Sequence, residues 1–392
     1  MRVLHITPHL GGGIGKAHTA IGRNLPSDIK QTFLLLEKPI DQRCVHFLRS
    51  MDKEVFVAEN LEQIAHLASK ADIVQIEFTN HPRLLHCLAR TDFPYMRTVV
   101  WAHISGLHKP IIQPGLMDAV NRFVFSSPCS VHLAEGRENI SYINSGFGFH
   151  TVRKRATRQW PLISYLGTVN FVKMHPGFFD AIDKINHVGP VQVWGAVDKT
   201  VVERHKAMKN PRRVEFYQET QYPDSALAQS DIFFYPLQPK HYGTGENALV
   251  EAMSMGLVPI VLNNPAETCI VKHNINGLVA NSIEECPSLI ETLCSVHTLR
   301  EELSKAAVKW VAEHKRPEKD ANKFAALWRK VGQEQKRKHD FVGVIGETPI
   351  DWFFSTQNLR GTVEPIEESE FQMASKGTLA HFKKVFAGEL GL

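Results

Sequence analysis

The stretch His241-Tyr-Gly-Thr-Gly-Glu-Asn-Ala-Leu-Val-Glu-Ala-Met-Ser-Met-Gly256 decides the fold of this chain. It begins as a glycine-rich loop and continues as a predicted helix, because the residues from 247 onward are mostly strong helix formers. Gly256 has the position of a C′ residue that ends such a helix. The apolar runs 231–236 and 257–262 predict a buried strand on each side. A loop and a helix N-terminus between two strands predict an α/β sheet with an anion-binding position at its edge.

Two carboxylates, Glu246 and Glu251, lie in or beside the first turns of this predicted helix. The free N–H groups and the helix dipole attract a phosphate there, whereas a carboxylate repels it. Carboxylates accept hydrogen bonds from the hydroxyl groups of a sugar or a ribose. The stretch therefore predicts a ligand that brings hydroxyl groups as well as phosphate.

The composition describes a globular protein without strong bias. The chain has 392 residues, of which 43% are hydrophobic and 22% charged, and this length predicts two domains with appendages. Its net charge of +4 argues against a dedicated nucleic-acid binder. The six cysteines form no C-x-x-C pair and are expected to be reduced thiols, and no apolar run approaches the ~20 residues that span a bilayer. We expect a cytoplasmic enzyme.

The N-terminal half begins with a strand and a second glycine-rich loop. The apolar run Arg2–Ile6 leads into Thr7-Pro-His-Leu-Gly-Gly-Gly-Ile-Gly-Lys-Ala-His18, and a helix is predicted to follow. The glycine spacing is not that of a dinucleotide-binding fingerprint. Leu10 and Ala17 stand where a P-loop needs Gly and Ser or Thr. The loop either exposes backbone amides to a substrate or is only a tight turn.

Strands and helices then alternate twice along the chain, which predicts two mostly parallel sheets. Polar residues follow the strand ends at His9, Asn80 and His103, on the edge where open α/β sheets bind ligands. The basic run Arg153–Arg158 interrupts the pattern. We therefore predict three parts: an N-terminal Rossmann-like domain (1–155), a second one (156–315), and C-terminal helices and a tail (316–392) that pack back on the first domain.

Two Rossmann-like halves, with a glycine loop in the first and a Glu-bearing helix in the second, resemble the GT-B glycosyltransferases, in particular the retaining enzymes of glycosyltransferase family 4. The resemblance covers most of residues 1–315 and is strongest over Tyr242–Val279 and Tyr165–Phe178. It implies a GT-B fold with parallel sheets that face a central cleft. The first domain would hold the acceptor, and the second would hold a nucleotide diphosphate sugar.

The donor site follows from the motif Leu249-Val-Glu-Ala-Met-Ser-Met-Gly-Leu-Val-Pro-Ile260, which resembles the family's Glu-bearing segment. By resemblance, Glu251 binds the ribose hydroxyls. The family has another Glu eight positions earlier, where this chain has Gly243. Glu246 either replaces it at the donor sugar or only complements the helix dipole. The other donor-binding residues implied here are Thr244, Gly245, Asn247 and Ala248.

A second motif, Leu166-Gly-Thr-Val-Asn-Phe-Val-Lys173, resembles the family's Gly-Arg-x-x-x-x-Lys loop. The resemblance implies that Lys173 pairs with the diphosphate and stabilises the charge on the leaving nucleotide. Thr168 stands where the family has an Arg, so one of two expected cations is missing. His175 is a further candidate on this loop.

In the first domain, Gly11–Gly15 resembles the family's glycine loop, which places Gly13 and Gly15 near the donor. Trp101-Ala-His103 resembles a strand that ends in a His near the reacting centre. His103 would bind a donor-sugar hydroxyl or polarise the acceptor, and a satisfied strand-end histidine is the plain alternative. Glu77 and His81 are weaker candidates nearby.

The predicted reaction is retaining transfer of a sugar from a UDP- or GDP-sugar to a hydroxyl acceptor in bacterial glycan or surface polysaccharide synthesis, with His103, Lys173 and Glu246 as catalytic residues. The acceptor is a glycan, a lipid-linked molecule or a small molecule. We expect no cofactor, no metal ion and no nucleic-acid partner, since the chain has no Asp-x-Asp. Peripheral contact with the inner face of the plasma membrane is compatible with the basic runs Arg153–Arg158 and Lys336–Lys338.

Two other functions remain open at this point. The same fold serves a nucleotide-sugar epimerase, which needs no acceptor. A catalytically inactive nucleotide-sugar-binding protein is compatible with Gly243 and Thr168 at two motif positions. A nicotinamide dehydrogenase is disfavoured because neither half has the dinucleotide fingerprint.

Overall fold

The chain folds into two compact units. A computed structural model describes residues 1–149, 160–186, 189–220, 222–357 and 377–387. Unit 1 comprises Met1–Ser145 and Pro317–Leu392, and unit 2 comprises Gly146–Arg316. The first boundary therefore falls at 145/146, whereas the sequence analysis puts it at 155/156. The basic run at 153–158 lies outside the described residues.

Unit 1 is built on a seven-stranded sheet in which every neighbouring pair is parallel. Its strands, in chain order, are β1 (Arg2–Thr7), β2 (Lys30–Leu35), β3 (Glu54–Val57), β4 (Ile73–Phe78), β5 (Thr98–Ala102), β6 (Arg122–Phe125) and β7 (Ile140–Tyr142). The spatial order β3-β2-β1-β4-β5-β6-β7 reverses direction between β1 and β4.

Helices cover both faces of this sheet. They are α1 (Gly12–Gly22), α2 (Arg43–Arg49), α3 (Leu61–Lys70), α4 (Pro82–Arg90) and α5 (Pro114–Ala119), joined by the C-terminal α13 (Pro317–Val331), α14 (Val342–Ile345), α15 (Pro349–Ser355) and α16 (Leu379–Val385). The tail contributes Trp352 and Phe382 to the same apolar cluster as Ile76 of β4. Aromatic side chains of the last helices thus complete the core of unit 1.

Unit 2 is built on a six-stranded parallel sheet in the order β10-β9-β8-β11-β12-β13. Its strands are β8 (Ile163–Leu166), β9 (Val191–Trp194), β10 (Val214–Tyr217), β11 (Ile232–Tyr235), β12 (Val258–Leu262) and β13 (Leu278–Ala280). Its helices are α6 (Phe178–Asp183), α7 (Lys199–Lys206), α8 (Pro223–Leu227), α9 (Asn247–Ser254), α10 (Pro265–Thr268), α11 (Cys286–Ser295) and α12 (His297–His314). Two doubly wound parallel sheets confirm the predicted fold class.

Each sheet has one topological switch point, where the strand order reverses and open α/β sheets form a binding crevice. In unit 1 it lies between β1 and β4, and in unit 2 between β8 and β11. The loops after β8 and β11 carry Lys173 and Glu246, two of the predicted site residues. The topology alone therefore brings these two loops to one crevice.

The helix of the opening stretch ends as predicted. Gly256 has φ +80°, in the left-handed region that favours glycine. Its N–H donates to the carbonyl of Met253, and the N–H of Leu257 donates to that of Ala252. This pair of bonds is the Schellman motif, which satisfies the last carbonyls of α9 and turns the chain into β12.

The first glycine loop is shorter than predicted. α1 already begins at Gly12, so Gly13 and Gly15 lie in its first turns rather than in a loop. Gly15 is buried, and a Cβ atom there would collide with the carbonyl oxygen of Leu10. The glycine at 15 thus lets α1 approach the end of β1 closely.

The polar segment 334–340 is fixed against the rest of unit 1. Arg337 pairs with Met96 in an antiparallel bridge, and the Lys338 ammonium donates to Asp92 at 2.6 Å. The last helix is capped by Thr378, whose hydroxyl accepts from the His381 N–H. The sequence also offers Ser375 as a cap for a helix from Lys376 to Phe386, but Ser375 lies outside the described residues.

Within the described ranges, no helix is long and apolar enough to cross a membrane. All six cysteines are free thiols.

Candidate active site

The loop before α9 folds the Glu246 side chain back into unit 2. Glu246 is the N-cap residue of α9 and has φ +41° and ψ +54°, a left-handed conformation that costs a non-glycine residue about 1–3 kcal/mol. Its carboxylate is buried, and Oε2 accepts from the Tyr235 hydroxyl at 2.8 Å and from the Lys173 ammonium at 3.0 Å. Oε1 has no hydrogen-bond partner among the described residues. Strain and an orphaned buried oxygen are both typical of functional sites.

The Glu246 carboxylate occupies the space beside Gly243. A Cβ atom at Gly243 would collide with Oε1 of Glu246 and would lie 2.8 Å from Nδ1 of His241. Position 243 therefore has no room for the acidic side chain that the family motif places there. The carboxylate three residues later fills that volume instead.

Lys173 lies on the loop after β8, which is fastened to the loop after β11. The Gln238 N–H donates to the Lys173 carbonyl at 2.9 Å, and the His175 N–H donates to the Pro236 carbonyl at 2.9 Å. Burial would lower the pKa of Lys173, but the Glu246 carboxylate raises it above its ordinary value. The ammonium is therefore charged, and its side chain is 15% exposed.

The Glu246 carboxylate is ionised despite its burial. Burial would raise the pKa of Glu246, whereas the charge of Lys173 and the Tyr235 hydroxyl bond hold that pKa below its usual value. The pair is thus an ammonium and a carboxylate that share one crevice. An ammonium has three donors, so one bond to Glu246 leaves others for a ligand.

A second acid, Glu267 of α10, lies beside the same loop and was not predicted from the sequence. Its Oε2 accepts from Nε2 of His241 at 3.2 Å, and its Oε1 lies 2.9 Å from the same nitrogen. The Gly243 N–H donates to Nδ1 of His241 at 2.9 Å. The carboxylate favours a charged imidazole, but an N–H that donates to Nδ1 opposes protonation there. Burial raises the pKa of Glu267. His241 thus anchors the backbone at Gly243, and the pair stabilises the loop that holds Glu246.

The other predicted donor residues lie along the same loop and helix. Glu251 is buried in α9, one turn after the half-buried Asn247 and Ala248, and Thr244 is buried in the loop. Thr168 is exposed, and its carbonyl accepts from the Tyr165 hydroxyl at 2.7 Å. Nδ1 of His175 accepts from the Gly177 N–H at 3.0 Å, a local turn contact. The structure brings Lys173 and Glu246 into contact, and Thr168 supplies no charge near them.

Unit 1 has a separate polar cluster around Glu77, a residue fully buried in β4. Its carboxylate accepts from Nδ1 of His5 at 2.9 Å and from Nε2 of His103 at 2.8 Å. Nε2 of His18 lies 3.1 Å from Oε1. Burial would raise the pKa of Glu77, but these imidazoles hold it well below its usual range. His103 therefore has an ionised partner in Glu77, which the sequence marks only as a weaker candidate.

His81, the other weak candidate, has a structural role. It is the N-cap residue of α4, and its Nδ1 accepts from the Arg83 N–H at 3.3 Å. Its ring packs edge-on against that of His381, with centroids 4.8 Å apart. Gly13 is exposed on α1 and Gly15 is buried there.

Three groups of side chains in the described part of the chain have ligand atoms within 4.8 Å of one another and could hold a metal ion: His5, His18 and Glu77; His9, Glu37 and His81; and His241, Glu246 and Glu267. In the first group Glu77 accepts a hydrogen bond from His5, and in the third Glu267 accepts one from His241. Direct hydrogen bonding therefore accounts for these two contacts.

Comparisons with known proteins agree with this architecture. Residues 153–310 match the family model described as "Glycosyl transferases group 1". A glycosyltransferase from Rickettsia africae superposes with a TM-score of 0.69 at 14% identity, over 85% of this chain and 99% of that chain. Anabaena HepE in complex with UDP-glucose superposes with a TM-score of 0.68 at 14% identity, over 84% and 100%. The lipopolysaccharide outer core galactosyltransferase WaaB gives 0.63 at 13% identity, also over 84% and 100%.

A search of the curated proteins gives no match. The structural likenesses, all at low identity, establish the fold, and the family model covers most of unit 2. The chain thus has the GT-B fold, and its residues 153–310 match the model of the group 1 glycosyl transferases, which supports a glycosyltransferase enzyme.

Proposed function

We propose that this chain is a retaining glycosyltransferase that moves a sugar from a nucleotide diphosphate sugar to a hydroxyl acceptor. The observation that carries the proposal is the ion pair between Lys173 and Glu246 at the switch point of unit 2, 3.0 Å long and beside the N-terminus of α9. A cation and free helix N–H groups suit a diphosphate, and carboxylates suit the hydroxyls of the attached sugar and ribose.

Each group has a part in this reaction. The Lys173 ammonium and the first N–H groups of α9 bind the diphosphate and stabilise the charge that develops as the nucleotide leaves. Glu251 accepts hydrogen bonds from the ribose hydroxyls. Oε1 of Glu246, which no described residue satisfies, accepts a hydroxyl of the donor sugar. The leaving phosphate helps to deprotonate the acceptor on the same face, so the proposal needs no covalent nucleophile, metal ion or cofactor.

The titles of the similar structures bear on the donor and acceptor classes. Three of the similar structures are complexes of HepE with UDP, with UDP and glucose, and with UDP-glucose, which favours a uridine nucleotide. WaaB is by its title a lipopolysaccharide galactosyltransferase, which favours a role in bacterial glycan synthesis. The acceptor is then a glycan, a lipid-linked molecule or a small glycoside, and a lipid-linked acceptor would bring the protein to a membrane surface.

Thermal unfolding of the full chain with a panel of nucleotide sugars tests the donor class. A ligand that binds the native state at 100 times its Kd stabilises it by about 2.7 kcal/mol. We expect UDP-sugars or GDP-sugars to raise the unfolding midpoint, and ATP and NAD to leave it unchanged. Stabilisation by NAD alone would contradict the proposal.

Thr168 favours one rival function, binding of the nucleotide sugar without transfer. Its exposed side chain leaves Lys173 as the cation of this motif loop, half of the charge that the resemblance implies. Incubation of the protein with the stabilising nucleotide sugar and a panel of hydroxyl acceptors separates the two functions. Release of free nucleotide together with a glycosylated acceptor supports transfer, and binding without release supports the rival.

A further inference from the structure

One face of the unit 1 sheet carries a buried polar stripe. Side chains alternate along a strand, so Gln75 and Glu77 of β4 point to the same face, and His5 of β1 lies beside Gln75 in the strand register. All three are completely buried. A buried carboxylate costs several kcal/mol unless its partners compensate it, so the hydrogen-bond donors around Glu77 determine how it is held.

The Trp328 indole, which can only donate a hydrogen bond, fixes the orientation of the Gln75 amide beside Glu77. The indole Nε1–H of Trp328 in α13 donates to Oε1 of Gln75 at 2.8 Å. An indole is only a donor, so the carbonyl of Gln75 faces Trp328 and its NH₂ group faces Glu77. This NH₂ group donates to Oε1 of Glu77 at 2.9 Å. Trp328 thus fixes the Gln75 amide, and the amide presents a donor to the carboxylate.

The hydrogen-bond partners of His5 likewise fix which ring nitrogen carries its proton. The Gln31 NH₂ group donates to Nε2 of His5 at 2.9 Å, so the proton of the neutral ring lies on Nδ1 and is donated to Glu77. Burial lowers the pKa of His5 to about 4, so this ring is neutral at neutral pH. Two donors therefore already occupy Oε1, and Oε2 is left for His103.

His103 is the member of the cluster that reaches the surface. It directly follows the last residue of β5, and its side chain is 7% exposed, compared with 1% or less for His5, His18 and Glu77. Its Nε2 lies 2.8 Å from Oε2 of Glu77, and its ring packs against that of Trp101 with centroids 4.5 Å apart. The ring is thus fixed by one hydrogen bond and one aromatic contact. Burial lowers the pKa of His103, so the neutral form predominates.

We propose that Glu77 is a positioning residue that holds His103 as the Nε2–H tautomer, so that Nδ1 accepts a hydrogen bond from a hydroxyl group of the substrate. An ionised carboxylate only accepts, so the one proton of the neutral ring lies on Nε2. The lone pair of Nδ1 then suits a hydroxyl and disfavours a phosphate oxygen, which has no hydrogen to donate. The identity of this hydroxyl, on the donor sugar or the acceptor, rests on the proposed function.

The tautomer can be measured without any assay of transfer. In the full chain labelled with ¹⁵N-histidine, long-range ¹H–¹⁵N correlation spectra distinguish Nε2–H from Nδ1–H rings, and the His103→Gln variant assigns the signal. We expect His103 to be the Nε2–H tautomer in the wild type. An Nδ1–H or doubly protonated ring at pH 7.5 would overturn the proposal, whether or not the protein is a glycosyltransferase.

The Glu77→Gln variant tests the cause. Its amide can donate to Nε2 of His103, so we expect the ring to change to the Nδ1–H tautomer, and kcat/KM for transfer to fall by about 10- to 100-fold as the hydroxyl loses its acceptor. Glu62→Gln, at an exposed position of α3, is the matched control and should keep the wild-type tautomer and rate. An unchanged His103 tautomer in Glu77→Gln would overturn the proposal.

Nucleotide binding separates this proposal from the previous one. The residues proposed to bind the nucleotide belong to unit 2, so UDP should stabilise Glu77→Gln as much as the wild type. If no nucleotide sugar stabilises the wild type, the donor assignment fails and the tautomer result still decides the role of Glu77. If Glu77→Gln does not fold, the wild-type spectrum alone carries the test.

Discussion

Oε1 of Glu246 lies less than 3.0 Å from the position that a Cβ atom would occupy at Gly243, a distance too short for any real side chain. The two residues are therefore one structural unit: the glycine provides the space, and the carboxylate three residues later fills it. The family motif places an acid at position 243. In this chain the left-handed backbone of Glu246 turns its carboxylate back into the volume beside Gly243.

Gly243→Ala should therefore displace the Glu246 carboxylate. Overpacking of this kind costs about 1–3 kcal/mol, and the Lys173 pair would be disturbed with it. Urea unfolding should show this loss of stability, and stabilisation by the preferred nucleotide sugar should decrease as well. Gly189→Ala is the control, because a Cβ atom at Gly189 meets nothing within 4 Å. Equal stability and ligand response in both variants would contradict the packing argument.

The ion pair itself can be measured by a double-mutant cycle on Lys173 and Glu246. Lys173→Met should destabilise the protein by about 3–5 kcal/mol, because it leaves a buried carboxylate without its cation. The further change Glu246→Gln should recover part of this loss, since the charge is then removed as well. Lys199→Met, at an exposed position of α7, controls for the loss of a lysine. Additive effects of the two changes would show that the pair is not coupled.

Much of the fold could be predicted because strands of a buried parallel sheet are visible in the sequence as continuous apolar runs. The apolar runs 231–236 and 257–262 predict β11 and β12 to within one residue at each end. The short helices α2, α4 and α7 were missed. They have one to three turns, and the periodicity of such segments is hard to distinguish from that of a loop.

The site was predictable only where a motif marked it. The sequence indicates that Lys173 and Glu246 follow strands, but their 3.0 Å contact depends on the strand order β8-β11, which no single stretch encodes. Glu267 had no signal, because an acid in the first turn of a helix is ordinary. Gln75 and Glu77 did carry one: two polar residues at alternate positions of an otherwise apolar strand mark a shared buried face.

Glu251→Ala should abolish transfer while the fold persists. Glu251 is buried in α9, and hydrogen bonds from ligand hydroxyls to a carboxylate contribute about 1.5–3 kcal/mol each. The affinity for the nucleotide sugar, measured by calorimetry, should therefore fall by more than tenfold. The rate of nucleotide release during transfer should fall by a larger factor. Glu203→Ala, at an exposed position of α7 in the same unit, is the matched control. Wild-type transfer by Glu251→Ala would contradict the assignment of this residue to the ribose.

The buried His5 should make the protein less stable as the pH falls from 6.5 towards 4. Burial, aided by the neighbouring imidazole of His18, lowers the pKa of His5 to about 4 from the ordinary 6.5, against the opposing effect of Glu77. Between these two pH values His5 is protonated in the unfolded chain but neutral in the folded chain. Stability therefore rises with pH in this window and is fully present above it.

The shift of about 2.5 in pKa corresponds to about 3 kcal/mol at the acid end of the window. Urea unfolding at several pH values between 4 and 7.5, in wild type and in His5→Gln, isolates this contribution as the difference between the two pH dependences. His66→Gln, at an exposed position of α3, is the control for loss of an imidazole. If His5→Gln loses stability with acid as steeply as the wild type, a lowered pKa of His5 is not the cause of the acid sensitivity.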